Sequence, residues 1–195
     1  MNYSELTKTY NELESTTKRL EKTKIISELL KKTKESELKQ VIYLLQGIVF
    51  PKWDARKTGM SSRLVLKAIN AATGVSINII EKEWVKKGDL GIVIEDQIKK
   101  SKQTSLFKKK LTIEKVFNNI QKLAELEGKG TVTKKIQYII ELLTSAEDDE
   151  AKFIIRTIIE DLRIGVRVGV IKDSIALAFE KEQKQIENAY NITND

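Results

Sequence analysis

The sequence predicts an all-α fold of about twelve helices arranged in two similar halves. Three observations lead to this prediction. Apolar residues recur at steps of three and four along most of the chain. One proline and nine glycines in 195 residues leave few positions at which a helix would be interrupted. A segment near the N-terminus is also repeated in the second half of the chain.

Three helical patterns precede Pro51 in the first half. Their apolar residues fall on one face of a helix with 3.6 residues per turn. In chain order these residues are Leu6, Tyr10 and Leu13, then Leu20, Ile25, Ile26, Leu29 and Leu30, then Leu38, Val41, Ile42 and Leu45.

The same pattern returns three times in the second half. Its apolar and small positions are Val116, Ile120 and Leu123, then Ile136, Ile139, Ile140 and Leu143, then Phe153, Ile154, Thr157 and Ile158. Serine and threonine are favoured N-caps, so helices are predicted to start at Ser4, Thr33, Ser61, Ser76, Thr112, Thr131 and Ser145. The acidic run 147–150 would then supply negative charge to the first turn of the helix after Ser145.

Two short segments have the composition of strands. Residues 162–170 alternate between apolar and other side chains, and residues 91–94 are rich in β-branched residues. Because helical patterns surround both segments, we interpret them as turns that lead into helices.

The internal repeat predicts the domain organisation. A shift of 113 residues places residues 12–14 on 125–127, Lys22 on Lys135, and 28–30 on 141–143. At a different offset, Gly59 and its following helix match Gly165 and the helix after it. One domain over 1–195 is therefore expected to consist of halves 1–98 and 111–195, related by a pseudo-two-fold axis and joined by a polar linker, 99–110.

The composition excludes several classes of function. The chain has neither cysteine nor histidine, which rules out zinc fingers, thiol nucleophiles and serine–histidine triads. No apolar run approaches the ~18–20 residues needed to cross a bilayer, and the polar N-terminus does not look like a signal peptide. We therefore expect a cytoplasmic protein, nucleoid-associated if archaeal, with no membrane partner. The net charge of +7 suits a polyanionic partner.

Four turns combine basic residues with small ones, at residues 15–19, 86–89, 128–135 and 162–167. Small residues allow close backbone approach, and the free amides at a helix start bind phosphate oxygens. In the alternative interpretation, each glycine is a helix C-cap surrounded by solvated lysines. Taken together, the four turns favour binding of a nucleic-acid backbone without base specificity.

The sequence provides little support for catalysis or for a metal site. The segment 128–130 is not a nucleotide-binding loop, because no Gly-Lys-Ser/Thr follows at the required spacing. Lys172 and Asp173 fall within a helical pattern and lack the glycine of the nucleotidyl-transfer motif Lys-x-Asp-Gly. No catalytic residue, metal ligand or cofactor is therefore predicted in this segment.

Several stretches resemble the N-terminal region of archaeal ATP-dependent DNA ligases. They are 17–23 (TKRLEKT), 41–45 (VIYLL), 49–53 (VFPKW), 86–91 (KKGDLG), 111–116 (LTIEKV), and 156–157 (RT) followed by 161–166 (DLRIGV). The last stretch is the most specific, and the resemblance extends from Tyr3 to Asp195. Its final residues resemble a family segment that normally continues, so the chain is expected to be part of a longer protein.

The resemblance implies an all-helical domain that binds the minor-groove face of duplex DNA on both sides of a nick. The adenylation and oligonucleotide-binding-fold domains, with ATP and Mg²⁺, would perform catalysis beyond Asp195 in replication, repair and recombination. The implied DNA contacts are Thr17, Arg19, Lys87, Gly88, Gly128, Gly130, Thr131, Lys134, Arg163, Gly165 and Arg167. Many relatives have a small or acidic residue in place of Arg167, which is a departure from the pattern.

The linker contains a second possible interaction site. Gln103, Leu106 and Phe107 resemble the short motif by which archaeal ligases dock on the sliding clamp, a PCNA-type ring. Two apolar anchors in a polar segment suit such a pocket. A helical scaffold that docks on this clamp is thus the main alternative function, and an enzyme using carboxylates or lysine is a third.

Overall fold

The computed structural model describes residues 1–101, 110–126, 128 and 130–193. Eleven helices form within these residues, compared with about twelve expected, and they confirm the all-α prediction. The helices are α1 (Tyr3–Ser15), α2 (Arg19–Lys32), α3 (Glu35–Leu45), α4 (Ser62–Thr73), α5 (Ile77–Lys87), α6 (Leu90–Ser101), α7 (Ile113–Glu125), α8 (Thr131–Ser145), α9 (Asp148–Ile158), α10 (Val168–Ala178) and α11 (Gln183–Thr193).

The predicted N-caps are correct in three cases and wrong in four. Ser61, Ser76 and Thr112 are N-caps, of α4, α5 and α7 respectively. Ser4, Thr33, Thr131 and Ser145 are not N-caps, although α8 does begin at Thr131, directly after its N-cap Gly130. In α1 and α9 a capping box formed by Asn2 with Glu5, or by Glu147 with Glu150, fixes the start instead.

The two strand-like segments differ in structure. Residues 162–167 are non-helical and lead into α10, as predicted, but residues 91–94 lie inside α6. Gly91 is required there, because an added Cβ would lie 2.7 Å from Arg156 Cγ and 2.8 Å from the Lys152 carbonyl oxygen. The small residue therefore reflects the close packing of α6 on α9 rather than a turn.

One hydrophobic core runs through both halves of the sequence. The fully buried rings of Tyr10 in α1 and Phe153 in α9 lie 4.7 Å apart, centroid to centroid. The Tyr10 hydroxyl donates to the Leu44 carbonyl at the end of α3, at 2.8 Å. Because helices from both halves share these contacts, neither half buries its apolar face alone.

The helices pair in a reciprocal way. The second helix, α2, packs on α10, and α8 packs on α4, while α3 contacts α7 and α1 contacts α9. The bounds of α9 are those of α3 moved by 113 residues, and those of α11 are those of α5 moved by 106. This order agrees with the sequence repeat, although the two-fold relation itself stays a prediction. The sixth helix reaches Ser101, so the predicted linker 99–110 begins in a helix.

None of the helices in the described residues is individually long and apolar enough to cross a bilayer. Helices α4 and α5 together have sufficient length and composition, but a bend of 117° separates them.

Candidate nucleic-acid interface

Seven of the predicted DNA contacts lie on three neighbouring segments, which we call the arginine group. The segments are the α1–α2 turn, the α5–α6 turn, and the connection 159–167 between α9 and α10. The Lys22 ammonium joins the first to the third, since it donates to the carbonyl oxygens of Ile164 at 2.6 Å and Gly165 at 3.1 Å. Burial lowers the pKa of Lys22, and the charge of Glu14 opposes that change.

Gly165 is constrained by this lysine. Its φ of 62° lies in the left-handed region, and an added Cβ would lie 2.6 Å from Lys22 Nζ. A side chain here would therefore both strain the backbone and displace the ammonium. Glycine at this position keeps the loop close to α2.

Arg19 lies at the surface between α2 and α10. Its guanidinium pairs with Asp173 at 2.6 Å, yet 66% of the side chain is exposed. Exposed ion pairs contribute ~0–1 kcal/mol, so a phosphate can replace Asp173 at small cost. Thr17 and Arg167 are also exposed, and their side chains form no hydrogen bond within the part of the chain that the structure describes.

Arg163 adopts an uncommon backbone conformation in the same connection. Its φ is 59°, and its guanidinium donates to Asp161 at 2.6 Å and to Asp89 at 3.4 Å. The side chain is nevertheless 43% exposed. Contacts from two carboxylates hold the arginine at the surface, beside Gly165.

A buried ion network, which the sequence analysis missed, supports the arginine group. Arg156 of α9 is 3% exposed and pairs with Asp89 at 2.7 Å and with Glu14. Burial alone would raise the pKa of Asp89, but hydrogen bonds and charge from Arg156, with lesser help from Ile92 N–H and Arg163, hold it below its ordinary value. Burial likewise opposes the charge on Arg156, and the two carboxylates outweigh it and raise its pKa.

Lys87 and Gly88 have structural roles in the α5–α6 turn. Gly88 ends α5 in the left-handed conformation, with its N–H donating to the Trp84 carbonyl at 2.7 Å. The Lys87 ammonium binds Asp96 and approaches Glu83 at 3.6 Å. Gly88 matches the C-cap alternative, whereas Lys87 is ion-paired rather than solvated, and a role of either residue in binding DNA stays a prediction.

The remaining four predicted contacts form a separate surface at the α7–α8 turn, which we call the glycine turn. Gly128 and Gly130 have φ values of 96° and 84°, and Gly130 is the N-cap of α8. The Thr131 hydroxyl donates to the Gly128 carbonyl at 2.8 Å, and Lys134 is exposed on the next turn. The first turn of α8 contains no acidic residue and its N-cap provides no side-chain cap, which are conditions that favour an anion at a helix start.

A second lysine–glycine contact lies beside the glycine turn. Lys135 of α8 donates to the Thr58 carbonyl at 3.0 Å, and a Cβ on Gly59 would lie 3.0 Å from its ammonium. Lys135 and Gly59 are the repeat partners of Lys22 and Gly165, and φ is 62° at both glycines. The repeat could have indicated that the two lysines and the two glycines occupy equivalent positions. It did not show that each lysine contacts the glycine region of the other half.

Both surfaces border the end of α9. The Thr58 hydroxyl donates to the Ile158 carbonyl at 3.2 Å, and six residues later the Ile164 carbonyl accepts from Lys22. One short stretch of chain thus connects the surroundings of the glycine turn to the arginine group.

Other predicted residues lie outside the described structure. They include the proposed clamp-docking residues Gln103, Leu106 and Phe107, so clamp binding stays a prediction from sequence. Glu127 and Lys129 of the α7–α8 turn are also outside it.

The expected lack of a metal site and the candidate lysine Lys172 can each be compared with the described residues. Among them there is no group of three or more carboxylates, histidines or cysteines that could hold a metal ion. Lys172 of α10 pairs with Glu187 at 3.1 Å, and its ammonium lies 5.1 Å from the Tyr190 ring centroid. It is therefore engaged in a surface contact between α10 and α11.

Comparison with known proteins identifies the family. The family model "DNA ligase N terminus" matches residues 2–176. DNA ligases of Methanothermobacter thermautotrophicus and Methanobrevibacter smithii are each 42% identical, over 193 and 195 residues, and cover 99% and 100% of this chain. A DNA ligase of Thermococcus onnurineus is 40% identical over 195 residues. The chain spans about a third of the length of these curated relatives, 35% in each case. Since the family model covers most of its residues, the chain belongs to the family of DNA ligase N-terminal regions.

Proposed function

We propose that this chain binds duplex DNA, intact or nicked, through its sugar–phosphate backbone, as the N-terminal region of an ATP-dependent DNA ligase. The convergence of the α1–α2 turn with the connection 159–167 is the main support. It brings five exposed predicted contacts onto one surface, Thr17, Arg19, Arg163, Gly165 and Arg167. A family whose members act on DNA is consistent with such a surface.

The chemistry of the two surfaces suits phosphate rather than base edges. The arginine group offers guanidinium groups that match phosphate geometry, and the glycine turn offers backbone amides and the Thr131 hydroxyl. The predicted contact residues include neither asparagine nor glutamine, the residues that read adenine by bidentate hydrogen bonds. Binding would therefore depend on backbone shape and charge, with little preference for sequence.

The chemical steps of ligation would be performed elsewhere in a longer protein. Residues in this chain would hold the duplex, while the remainder, corresponding to the other two thirds of the relatives, would bind ATP and Mg²⁺ and join the strands. The contribution of the present residues to such a reaction is to position the DNA.

The proposal is tested by measuring the affinity of the chain for fluorescent duplex DNA by anisotropy over a range of salt concentrations. Parent affinity should fall steeply with salt, because bound lysines and arginines release counterions from the phosphates. The double variant Arg19→Ala/Lys134→Ala should bind at least about tenfold more weakly at low salt, since it removes a cation from each surface.

A matched variant removes the same charge elsewhere. Lys31 lies at the far end of α2 from Arg19, and Lys82 lies on α5, and both are exposed. We expect Lys31→Ala/Lys82→Ala to retain most of the parent affinity. Equal weakening by the two double variants would mean that net charge, and not these surfaces, determines binding.

A further inference from the structure

Trp53 is an exposed tryptophan at the tip of a turn. The Asp54 N–H donates to the Pro51 carbonyl at 2.9 Å, which places Lys52 and Trp53 at the two central positions. The Trp53 residue is 67% exposed, whereas Trp84, the other tryptophan of the chain, is half-buried against the core. An indole this large is usually buried, so its exposure requires an explanation.

The turn is held by contacts of the residues that flank Trp53. The Arg56 guanidinium donates to both carboxylate oxygens of Asp54, with distances of 2.6–3.1 Å. The same guanidinium lies 4.2 Å from the ring centroid of Phe50, which is buried. These contacts fix the residues on either side of Trp53, so a partner would meet a side chain on an ordered backbone.

The loop is also fixed to three helices. The Gln121 amide of α7 donates to the Val49 carbonyl at 2.8 Å, and Lys135 of α8 donates to the Thr58 carbonyl at 3.0 Å. Thr58 in turn bonds to the Ile158 carbonyl at the end of α9. Residues 49–58 therefore form a stable part of the surface next to the glycine turn.

Exposed lysines lie on both sides of Trp53 in the sequence. Lys52 and Lys57 are exposed, and neither ammonium forms an ion pair within the described part of the chain. Arg56 Nη1 approaches Glu125, near the end of α7, at 4.0 Å, which connects the loop to the glycine turn. The loop thus extends the basic surface that contains Lys134.

We infer that Trp53 is a DNA-contacting residue, whose indole packs on deoxyribose faces while Lys52 and Lys57 bind the neighbouring phosphates. In an intact duplex the bases are stacked on each other, so the sugars offer the accessible apolar surface to a flat side chain. The basic surroundings favour a polyanion over an apolar protein groove. This inference rests on the proposed function and adds a third contact region, 52–57, that carries an aromatic residue.

The test compares Trp53→Ala and Trp53→Phe with the parent chain in duplex binding, measured by anisotropy of labelled DNA. Loss of the indole should weaken binding by about tenfold, because its apolar surface is no longer buried on the sugars, and phenylalanine should restore part of the loss. Ile192→Ala, which changes an 85% exposed apolar residue on α11, serves as the control and should retain the parent affinity. Thermal unfolding midpoints should be the same for all four proteins.

Intrinsic fluorescence provides a second measurement. Duplex DNA should quench the emission of the parent, and the quenching should be largely lost in Trp53→Phe, where Trp84 is the remaining tryptophan. If Trp53→Ala binds like the parent while Arg19→Ala/Lys134→Ala is weakened, this inference is rejected and the proposed function stands. If the parent itself does not bind DNA, both are rejected. If Trp53→Ala and Arg19→Ala/Lys134→Ala both bind DNA more weakly than the parent, the results support this inference and the proposed function.

Discussion

Gly165 shows how a single residue determines the shape of the arginine group. Two separate constraints favour glycine at this position. The backbone has a left-handed φ, and the Lys22 ammonium occupies the space that a Cβ would need. Gly74 provides a natural comparison, since its φ is 74° and no atom lies within 4 Å of the position of an added Cβ. The two sites therefore differ mainly in the lysine.

We predict that Gly165→Ala destabilises the chain more than Gly74→Ala does. Each substitution incurs the strain of a left-handed alanine, about 1–2 kcal/mol, and Gly165→Ala also displaces Lys22 from its carbonyl acceptors. Urea unfolding of both variants measures the difference. Gly165→Ala should also weaken DNA binding, whereas Gly74→Ala should not. Equal losses of stability would show that the Lys22 contact has little energetic importance.

At the scale of helices, the Arg156 network connects α9 to the start of α6 and the end of α1. Asp89 has two functions in it, since its carboxylate pairs with Arg156 and also accepts from the Gly91 and Ile92 N–H groups as the cap of α6. Asparagine can also cap a helix, so Asp89→Asn removes the charge while keeping a side chain able to cap.

We predict that Asp89→Asn lowers the free energy of unfolding at neutral pH by about 3 kcal/mol, because Arg156 loses a buried partner. The pKa of Asp89 is lower in the folded chain than in the unfolded one. Its contribution to stability is therefore fully present above the unfolded pKa, about 3.9, and is lost as pH falls through the folded pKa. Unfolding curves measured from pH 7 downwards should show the two proteins converging in acid. A difference that stays constant to pH 3 would contradict this assignment.

Much of the helical order could be predicted from the sequence, because apolar periodicity reports directly which face of a helix is buried. The errors lie where tertiary contacts determine the structure. Residues 91–94 have the composition of a strand but lie in α6. The glycine at position 91 leaves room for the Arg156 side chain of the neighbouring helix α9, a contact that the sequence does not reveal. The start of α9 depends on Glu147 and Glu150, and glutamate is a less common cap than the serine two residues earlier.

The candidate site was predictable to a similar degree. Basic residues next to glycines indicate exposed turns, and Arg19, Lys134 and Arg167 are exposed as expected. The residues that support those turns, Lys22 and Arg156, were not found, because a lysine or arginine in a helix gives no sign in the sequence that it is buried.

For the whole molecule, the net charge of +7 understates the unevenness of its surface. Several cations are paired internally, such as Lys87, Lys152 and Arg156, whereas Lys52, Lys134 and Arg167 are exposed on the loop 49–58, the glycine turn and the arginine group. A polyanion should therefore bind preferentially to this region, in contact with the arginine group and the glycine turn together.

We predict that full affinity requires a duplex long enough to reach both surfaces. A compact chain of this size is roughly 40 Å across, which corresponds to about 12 base pairs at about 3.4 Å each. A duplex of about 20 base pairs should therefore bind more tightly, and with a steeper dependence on salt, than one of about 6 base pairs, because more phosphates are neutralised.

Lys134→Ala should reduce the affinity for the long duplex. If the short duplex occupies the arginine group, the same substitution should change the affinity for the short duplex less. Both expectations are checked by measuring the Kd of each duplex over a range of salt concentrations. The Kd of the longer duplex is corrected for the larger number of overlapping positions at which the chain can bind. The same slope at both lengths would show that the longer duplex gains no phosphate contacts, and therefore that one surface alone binds DNA.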